Sequence, residues 1–370
     1  KIKETAAKVY KIKYTLNILP SIDEFEDSLM NACGETVEVE IFESKVIRDL
    51  IEFRWNKYAG KFHYIGLSIH TLYVILFNFY VSDFLQKEKL KPNDSSKERV
   101  IQLTLLNLFM GICLIYPLMY DMTQMYKQGP KEYFLDFWNY IDQMHIWCGF
   151  TSIIVQLGTY KPYDPGNSYV GDVFLIVVTF LMLIKTFFYL RIFSSLSYIV
   201  TMMKKVFYDL RVFMYFYLIL ILMFSVILGI LKVGNFKLSD DPKVQNIEQA
   251  KSFPNMEYRY LPYFLSNFLT VTRISLGDFD FSAPTLLDPF HNVVFWIVWY
   301  LITIMTCVVF LNFILAEVSS SYESVKSDIN GLIMKERALL IKESEDMMRQ
   351  SEKKNPQLFP KYLIMREQEI

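Results

Sequence analysis

Six apolar blocks, each long enough to cross a lipid bilayer, dominate this chain, and its charged residues are concentrated between them. A helix crosses the hydrocarbon layer with about 20 apolar residues, and Tyr and Trp cluster at the block ends, as interfacial anchors do. The pattern predicts an all-α membrane protein with six transmembrane helices. The predicted spans are residues 62–85, 100–120, 137–157, 170–190, 212–231 and 293–316.

A shorter apolar run, residues 261–276, lies between the fifth and sixth blocks and ends at Gly277. The run is too short to span the membrane. Non-helical backbone is tolerated at membrane depth only where it is buried in protein or lines water. We therefore expect a re-entrant pore helix followed by a turn that lines an aqueous path.

The turn after this run carries acids suited to a cation filter. Asp278 and Asp280 follow Gly277, and one isolated carboxylate at this depth would be costly. Four copies around an axis form a ring that replaces part of a cation's hydration shell and repels anions. The predicted selectivity filter is Gly277, Asp278, Phe279 and Asp280, which implies a tetramer. An ordinary extracellular turn is the alternative.

The inner end of the sixth block is predicted to contain the lower gate. Leu311 and Leu315 are large apolar residues that can close a pore by dewetting, and Asn312 is a polar residue between them. The alternative for Asn312 is a purely structural role in helix packing.

Two polar pairs near the inner ends of the second and third spans suggest a metal site. Asp121 and Gln124 are three residues apart on one helix, and Asn139 and Asp142 repeat that spacing on the next. Carboxylate and amide oxygens are suitable ligands for Ca²⁺. The prediction is a regulatory calcium site open to the cytosol. The alternative is a packed set of interfacial hydrogen bonds.

Other features narrow the class of protein. A strong voltage sensor needs a basic residue at every third position of the fourth span, where only Lys185 and Arg191 occur. The sequence has no CxxC or HExxH motif, and its net charge of −1 does not favour a nucleic-acid partner. We therefore predict neither a catalytic site nor nucleic-acid binding.

The predicted organisation has five parts. Residues 1–61 form a cytosolic pre-membrane linker, with a strand at 13–20 and a helix at 44–58; 62–194 form a four-helix, voltage-sensor-like domain; 195–210 form an amphipathic linker helix; 211–318 form the pore domain; and 319–370 form a cytosolic helix and tail. The sequon at Asn93 would place the first loop outside the cell if glycosylated, with both termini inside.

Four segments resemble transient receptor potential (TRP) cation channels. The filter stretch ISLGDFDF and the ending LNFILAEVSSSYESVK of the sixth span are similar to the polycystin branch. The pre-membrane VIRDLIEFRWNKYAGKF and the linker FYLRIFSSLSYIVTMMKKVFYDLRVF look more like the vanilloid and ankyrin-type branches. The four polar residues beginning at Asp121 match the calcium site of the melastatin and ankyrin-type branches, where the first position is usually Glu.

The resemblance implies a domain-swapped homotetramer that passes Na⁺, K⁺ and Ca²⁺ with modest selectivity. It also implies contact with membrane lipids and a location in a plasma or ciliary membrane. The chain begins at Lys1, which predicts that it is part of a longer polypeptide, and the resemblance implies further cytosolic domains such as ankyrin repeats. Two features depart from the family. The first loop has about fifteen residues where polycystins carry a folded domain, and residues 318–337 lack a Trp-led TRP box.

The sequence therefore predicts a TRP-type, nonselective, calcium-permeable cation channel subunit that is regulated by cytosolic calcium. One alternative is a voltage-gated sodium or calcium channel-like subunit, against which the sparse charges of the fourth span argue. Another is a secondary transporter or a non-conducting membrane scaffold. Transporters usually carry internal repeats and broken helices, and no inverted repeat is visible in this sequence.

Overall fold

The computed structural model of the chain describes residues 11–18, 29–90, 97–158, 165–233, 258, 260–279, 287–360 and 362–369. The chain divides into two units, each with its own core. The first comprises Lys1–Thr201 together with Asp328–Ile370, and the second comprises Met202–Ser327.

The first unit opens with short helices that lead into long ones. A π-helical turn, Trp55–Ala59, joins a short helix directly to the first long one, so the helix predicted over residues 44–58 is confirmed. The helices are α1 (Leu29–Glu35), α2 (Lys45–Arg54), α3 (Gly60–Leu90), α4 (Lys97–Gln128), α5 (Pro130–Tyr133), α6 (Phe137–Gly158) and α7 (Pro165–Leu190), with a 3-10 turn at Val39–Glu43.

Helix α8 (Ser194–Ile230) begins in the first unit and continues into the second. We expected a separate linker helix, residues 195–210, before a fifth span at residues 212–231. The structure instead has one continuous helix of 37 residues. The reason is local, because no Gly or Pro interrupts the helix before Gly229.

The second unit packs three helices around one apolar core. Helix α9 (Tyr263–Ser275) is followed by α10 (Pro289–Ile302), a π-helical segment (Thr303–Phe310) and α11 (Leu311–Ser327). Buried residues from α8, α9 and α10 meet in this core and fix α9 in place. They are Ile221, Leu228, Val271, Ile274, Phe295 and Ile302.

The chain then returns to the first unit through α12 (Ile329–Asp346) and α13 (Gln350–Lys353). Ala338, Leu340 and Ile341 of α12 are fully buried against Leu50 and Ile51 of α2. The helix after the sixth predicted span is therefore packed on the segment that precedes the first predicted span.

The first unit also contains a two-stranded antiparallel sheet. Strand β1 (Lys11–Ile18) confirms the strand predicted near residues 13–20. It pairs with β2 (Tyr362–Glu369), so that Lys11 lies opposite Glu369. Strand β2 lies within residues 319–370, where the sequence predicted a cytosolic helix and tail, and the other described elements are helical. The backbone hydrogen bonds of the two strands come from opposite ends of the sequence and leave no local signal.

Five helical segments are long and apolar enough to cross a membrane: Lys45–Ser82, Ile101–Gln128, Val170–Leu190, Ser194–Ile230 and Pro289–Ser327. They contain all of the fourth and sixth predicted spans and nearly all of the first, second and fifth. The third predicted span is helix α6, whose 22 residues extend about 33 Å. Polar residues such as Asn139, Asp142 and His145 interrupt the apolar sequence of α6.

Candidate ion-conducting site

Helix α9 ends in a Schellman motif that positions the predicted filter. The backbone N–H of Asp278 donates to Arg273 O at 2.9 Å, and the N–H of Gly277 donates to Ile274 O at 3.0 Å. Gly277 has φ of 86°, the left-handed conformation that this motif requires and that glycine adopts without penalty. The apolar run therefore stops at Gly277 and presents Asp278 directly beyond the helix.

The filter turn is attached to both neighbouring helices of the second unit. The Tyr217 hydroxyl of α8 and the Ser275 hydroxyl form a short hydrogen bond. The Phe279 ring contacts Trp299 of α10 edge to face, with centroids 5.4 Å apart. The remaining predicted filter residue, Asp280, and the sequon at Asn93 lie outside the described residues.

The Asp278 carboxylate is paired with a basic residue of α9. Arg273 Nε donates to Asp278 Oδ2 at 2.6 Å, and Arg273 Nη1 donates to the Tyr258 hydroxyl at 2.9 Å. The two charged side chains are 33% and 58% exposed. The acid that the sequence assigns to the ion path thus has a fixed cation beside it.

The predicted gate residues lie in the first turns of α11, just after the π-helical segment. Asn312 Nδ2 donates to Val308 O of the π-helical segment at 2.6 Å. Leu311 and Leu315 are 38% and 63% exposed, and they lie one helical turn apart. The ring of Phe310, at the end of the π-helical segment, stacks on Tyr217 of α8 at 5.0 Å.

The two predicted calcium-binding carboxylates already have partners. Asp121 is 2% exposed, and its Oδ2 accepts a hydrogen bond from Gln143 Nε2 at 3.3 Å. Asp142 Oδ1 lies 2.5 Å from Lys185 Nζ of α7. A lysine ammonium therefore lies beside one carboxylate of the predicted set.

The two predicted amide ligands lie at a neighbouring cavity. Gln124 and Asn139 both line a space of about 600 Å³. Asn139 Nδ2 donates to Tyr133 O at 2.7 Å, whereas Gln124 Nε2 donates to Gln128 Oε1 at 3.4 Å. Within the described part of the chain, no three His, Cys, Asp or Glu side chains come together as a metal-ligand group.

Comparison with known families covers most of these elements. Residues 64–329 match the family model described as ion transport protein, and this stretch is more than half of the chain. The chain belongs to the ion transport protein family. Voltage-gated and TRP-type ion channels make up this superfamily, so the chain is a cation channel of that superfamily. The family is a channel family and not an enzyme family. No curated protein matches the chain.

Lys185 and Arg191, the basic residues near the end of the fourth predicted span, both have acidic partners in this ion transport protein. Lys185 is paired with Asp142. The Arg191 guanidinium lies 3.5 Å from Glu336 and 3.2 Å from Glu343, two acids of α12. It also lies 3.6 Å from the centroid of the Phe188 ring. Both basic side chains are therefore held in ion pairs in this structure.

Sequence analysis did not identify Arg273 or the role of Lys185 in this ion transport protein. A usable signal existed for Arg273. A helix that ends before a glycine in the left-handed conformation brings the residue four positions before that glycine next to the residue after it. For Lys185 the only signal is a lone basic residue in an apolar helix, which needs an acidic partner.

Proposed function

We propose that this chain is one subunit of a tetrameric, TRP-type, nonselective cation channel that is permeable to calcium. The observation that carries the proposal is the position of α9. This helix of 13 residues is too short to cross a bilayer. It lies in sequence between two membrane-capable helices and ends at the Gly277 turn with Asp278 beyond it.

Cation selectivity in this proposal comes from a ring of acids. Four subunits bring Asp278 and Asp280 around one axis, where their carboxylates replace part of a cation's hydration shell. The C-terminal end of α9 adds a partial negative charge at the same level. The ring attracts Na⁺, K⁺ and Ca²⁺ and repels anions.

The proposed gate is the apolar constriction at Leu311 and Leu315, which closes by excluding water. Contacts within the second unit support a coupling between α8 and α11. Ser321 Oγ donates to Asp209 Oδ2 at 2.8 Å, and Lys205 also bonds to α11, through Ser324. Movement of α8 near Lys205 and Asp209 would then be transmitted to α11, which contains the proposed gate.

Regulation by cytosolic calcium is a second element of the proposal. Asp121, Gln124, Asn139 and Asp142 supply hard oxygen donors of the type that Ca²⁺ prefers. The support is the Lys185 ammonium beside Asp142, because it marks a position where the fold already stabilises a cation. Calcium would bind by replacing the ammonium there.

The orientation of the chain in the membrane is part of the same proposal. Both termini would lie in the cytosol, where α12 packs on the pre-membrane segment and where further domains of the same polypeptide, such as ankyrin repeats, would attach. Membrane lipids would cover the exposed apolar faces of helices such as α10. A plasma or ciliary membrane fits this type of channel.

The filter is tested by Asp278→Asn, with Asp288→Asn as a matched control. Asp288 belongs to the same connection but caps helix α10, a role that Asn also fills. We expect Asp278→Asn to lower calcium permeability relative to sodium, measured from reversal potentials, while the control stays at the wild-type ratio. Unchanged permeability in Asp278→Asn contradicts the assignment of this carboxylate to the ion path.

A further inference from the structure

We propose that Arg273 sets how strongly the filter holds divalent cations, because it neutralises part of the Asp278 carboxylate in every subunit. The inference rests on the proposed role of Asp278 as a filter acid. It assigns a specificity-determining role to a basic residue that lies in the helix before the filter.

Two bonds tie Arg273 to Asp278. The backbone N–H of Asp278 is bonded to Arg273 O at 2.9 Å, and Arg273 Nε donates to Asp278 Oδ2 at 2.6 Å. The Schellman geometry at Gly277 produces this approach. The guanidinium is held from its other side by the Tyr258 hydroxyl at 2.9 Å, so its charge stays in place when the carboxylate binds a passing ion.

The exposure of the Arg273 and Asp278 side chains indicates that their ion pair affects passing ions more than it affects folding stability. The side chains of Arg273 and Asp278 are 33% and 58% exposed. An ion pair as exposed as this adds little to folding stability, because water screens it and the side chains lose freedom. Its effect on an ion in a narrow filter is larger, since the ion meets both charges at close range.

The effect of Arg273 on ion binding depends on the charge of the passing ion. Each guanidinium opposes one Asp278 charge, so four of them reduce the field of the whole ring. A divalent ion interacts with that field twice as strongly as a monovalent ion. Arg273 therefore weakens calcium binding more than sodium binding, which raises the calcium concentration needed to block the sodium current.

The test measures block of sodium current by extracellular calcium. Arg273→Gln keeps hydrogen-bond donors but removes the charge, and we expect half-block at about tenfold lower calcium. Arg273→Lys keeps the charge and should remain near wild type. Lys326→Gln, a basic residue of α11, is the control and should leave the block unchanged. If Arg273→Lys shifts the block as much as Arg273→Gln, the role is structural and the proposal is overturned.

A double-mutant cycle with Asp278→Asn separates this inference from the filter itself. If Arg273 acts through Asp278, Arg273→Gln has no further effect on calcium block in the Asp278→Asn background. An equal effect in both backgrounds overturns the inference. If Asp278→Asn alone leaves block unchanged, the filter assignment fails. If Asp278→Asn weakens block and Arg273→Gln does nothing, only the inference fails.

Arg273→His provides a second route should Arg273→Gln fail to assemble. A histidine changes its charge near neutral pH, so one folded channel can be compared with and without the cation. We expect calcium block of this variant to weaken as extracellular pH falls from about 7.5 to about 5.5, and to do so beyond any change in the wild type. The same pH response in both proteins contradicts the proposal.

Discussion

Arg54 Nη1 lies 2.8 Å from Glu345 Oε1, and only 8% and 5% of the two side chains are exposed. The Tyr58 hydroxyl also donates to Glu345. The pair joins the segment before the first membrane helix to α12, which follows the last. A contact of this kind makes the position of α12 depend on the pre-membrane segment.

Removing one partner of this buried pair should destabilise the first unit. Glu345→Gln leaves the Arg54 charge buried without its carboxylate, which costs about 3 kcal/mol. The expected result is a clear fall in the thermal unfolding midpoint of the purified protein, followed by fluorescence. Exposed Glu40→Gln is the control and should change stability by less than about 0.5 kcal/mol. Equal midpoints for the two variants would contradict this account of the pair.

Replacing both partners should recover most of that loss. Arg54→Met with Glu345→Met removes both charges and fills the space with apolar side chains, which often matches a buried ion pair in stability. If the double variant is as unstable as Glu345→Gln, lost packing or the lost hydrogen bond of the Tyr58 hydroxyl, and not an unpaired charge, explains the defect.

The Lys185 ammonium is expected to compete with calcium for the Asp142 carboxylate. Lys185→Met removes the ammonium beside Asp142 and leaves the carboxylate without its cation. The concentration of cytosolic calcium needed to modulate the channel should fall by about tenfold, which corresponds to about 1.4 kcal/mol. Inside-out patches measure this response directly. Exposed Lys131→Met should respond like the wild type, and an identical curve for Lys185→Met would refute the competition.

Gly277 should not tolerate a side chain, and the reason is its backbone. A Cβ at Gly277 or at Gly158 would meet nothing within 4 Å. Of these two glycines, only Gly277 has a positive φ, of 86°. Gly277→Ala therefore costs about 1–2 kcal/mol in the turn and should disturb ion selectivity in reversal-potential measurements. Gly158→Ala should behave as the wild type. Normal selectivity in Gly277→Ala would show that the left-handed turn is not needed.

The thiol of Cys33 should react slowly in the folded protein. Burial raises the pKa of this thiol, and the nearby Arg54 guanidinium opposes that shift without cancelling it. The reactive thiolate is therefore scarce at pH 8. Alkylation of Cys33, followed by mass spectrometry, should be at least about tenfold slower than in denatured protein. Comparable rates in both states would contradict the buried position of Cys33 on α1.

Apolar periodicity was enough to predict the long helices and the short helix α9, because each of these signals is local. The turn at Gly277 was also readable, since a glycine ends the apolar run. The pairing of Arg273 with Asp278 follows from the same turn, but recognising it required the exact C-terminal geometry of the helix.

The features that sequence analysis missed depend on residues far apart in the chain. The Lys185–Asp142 pair joins two helices, and the β1–β2 sheet joins opposite ends of the sequence. The π-helical segment from Thr303 to Phe310 has no distinctive composition, and such segments often mark functional sites. Tertiary packing determines the ion pair and the sheet, and a single-sequence pattern does not contain it.

The most direct measurement is the reversal potential of the purified protein in a planar bilayer under a potassium chloride gradient. The proposed acidic filter predicts unitary currents that reverse close to the potassium equilibrium potential, and weaker preference for cations in Asp278→Asn. Currents that reverse near the chloride potential, or the same cation preference in both proteins, would contradict a filter built on Asp278.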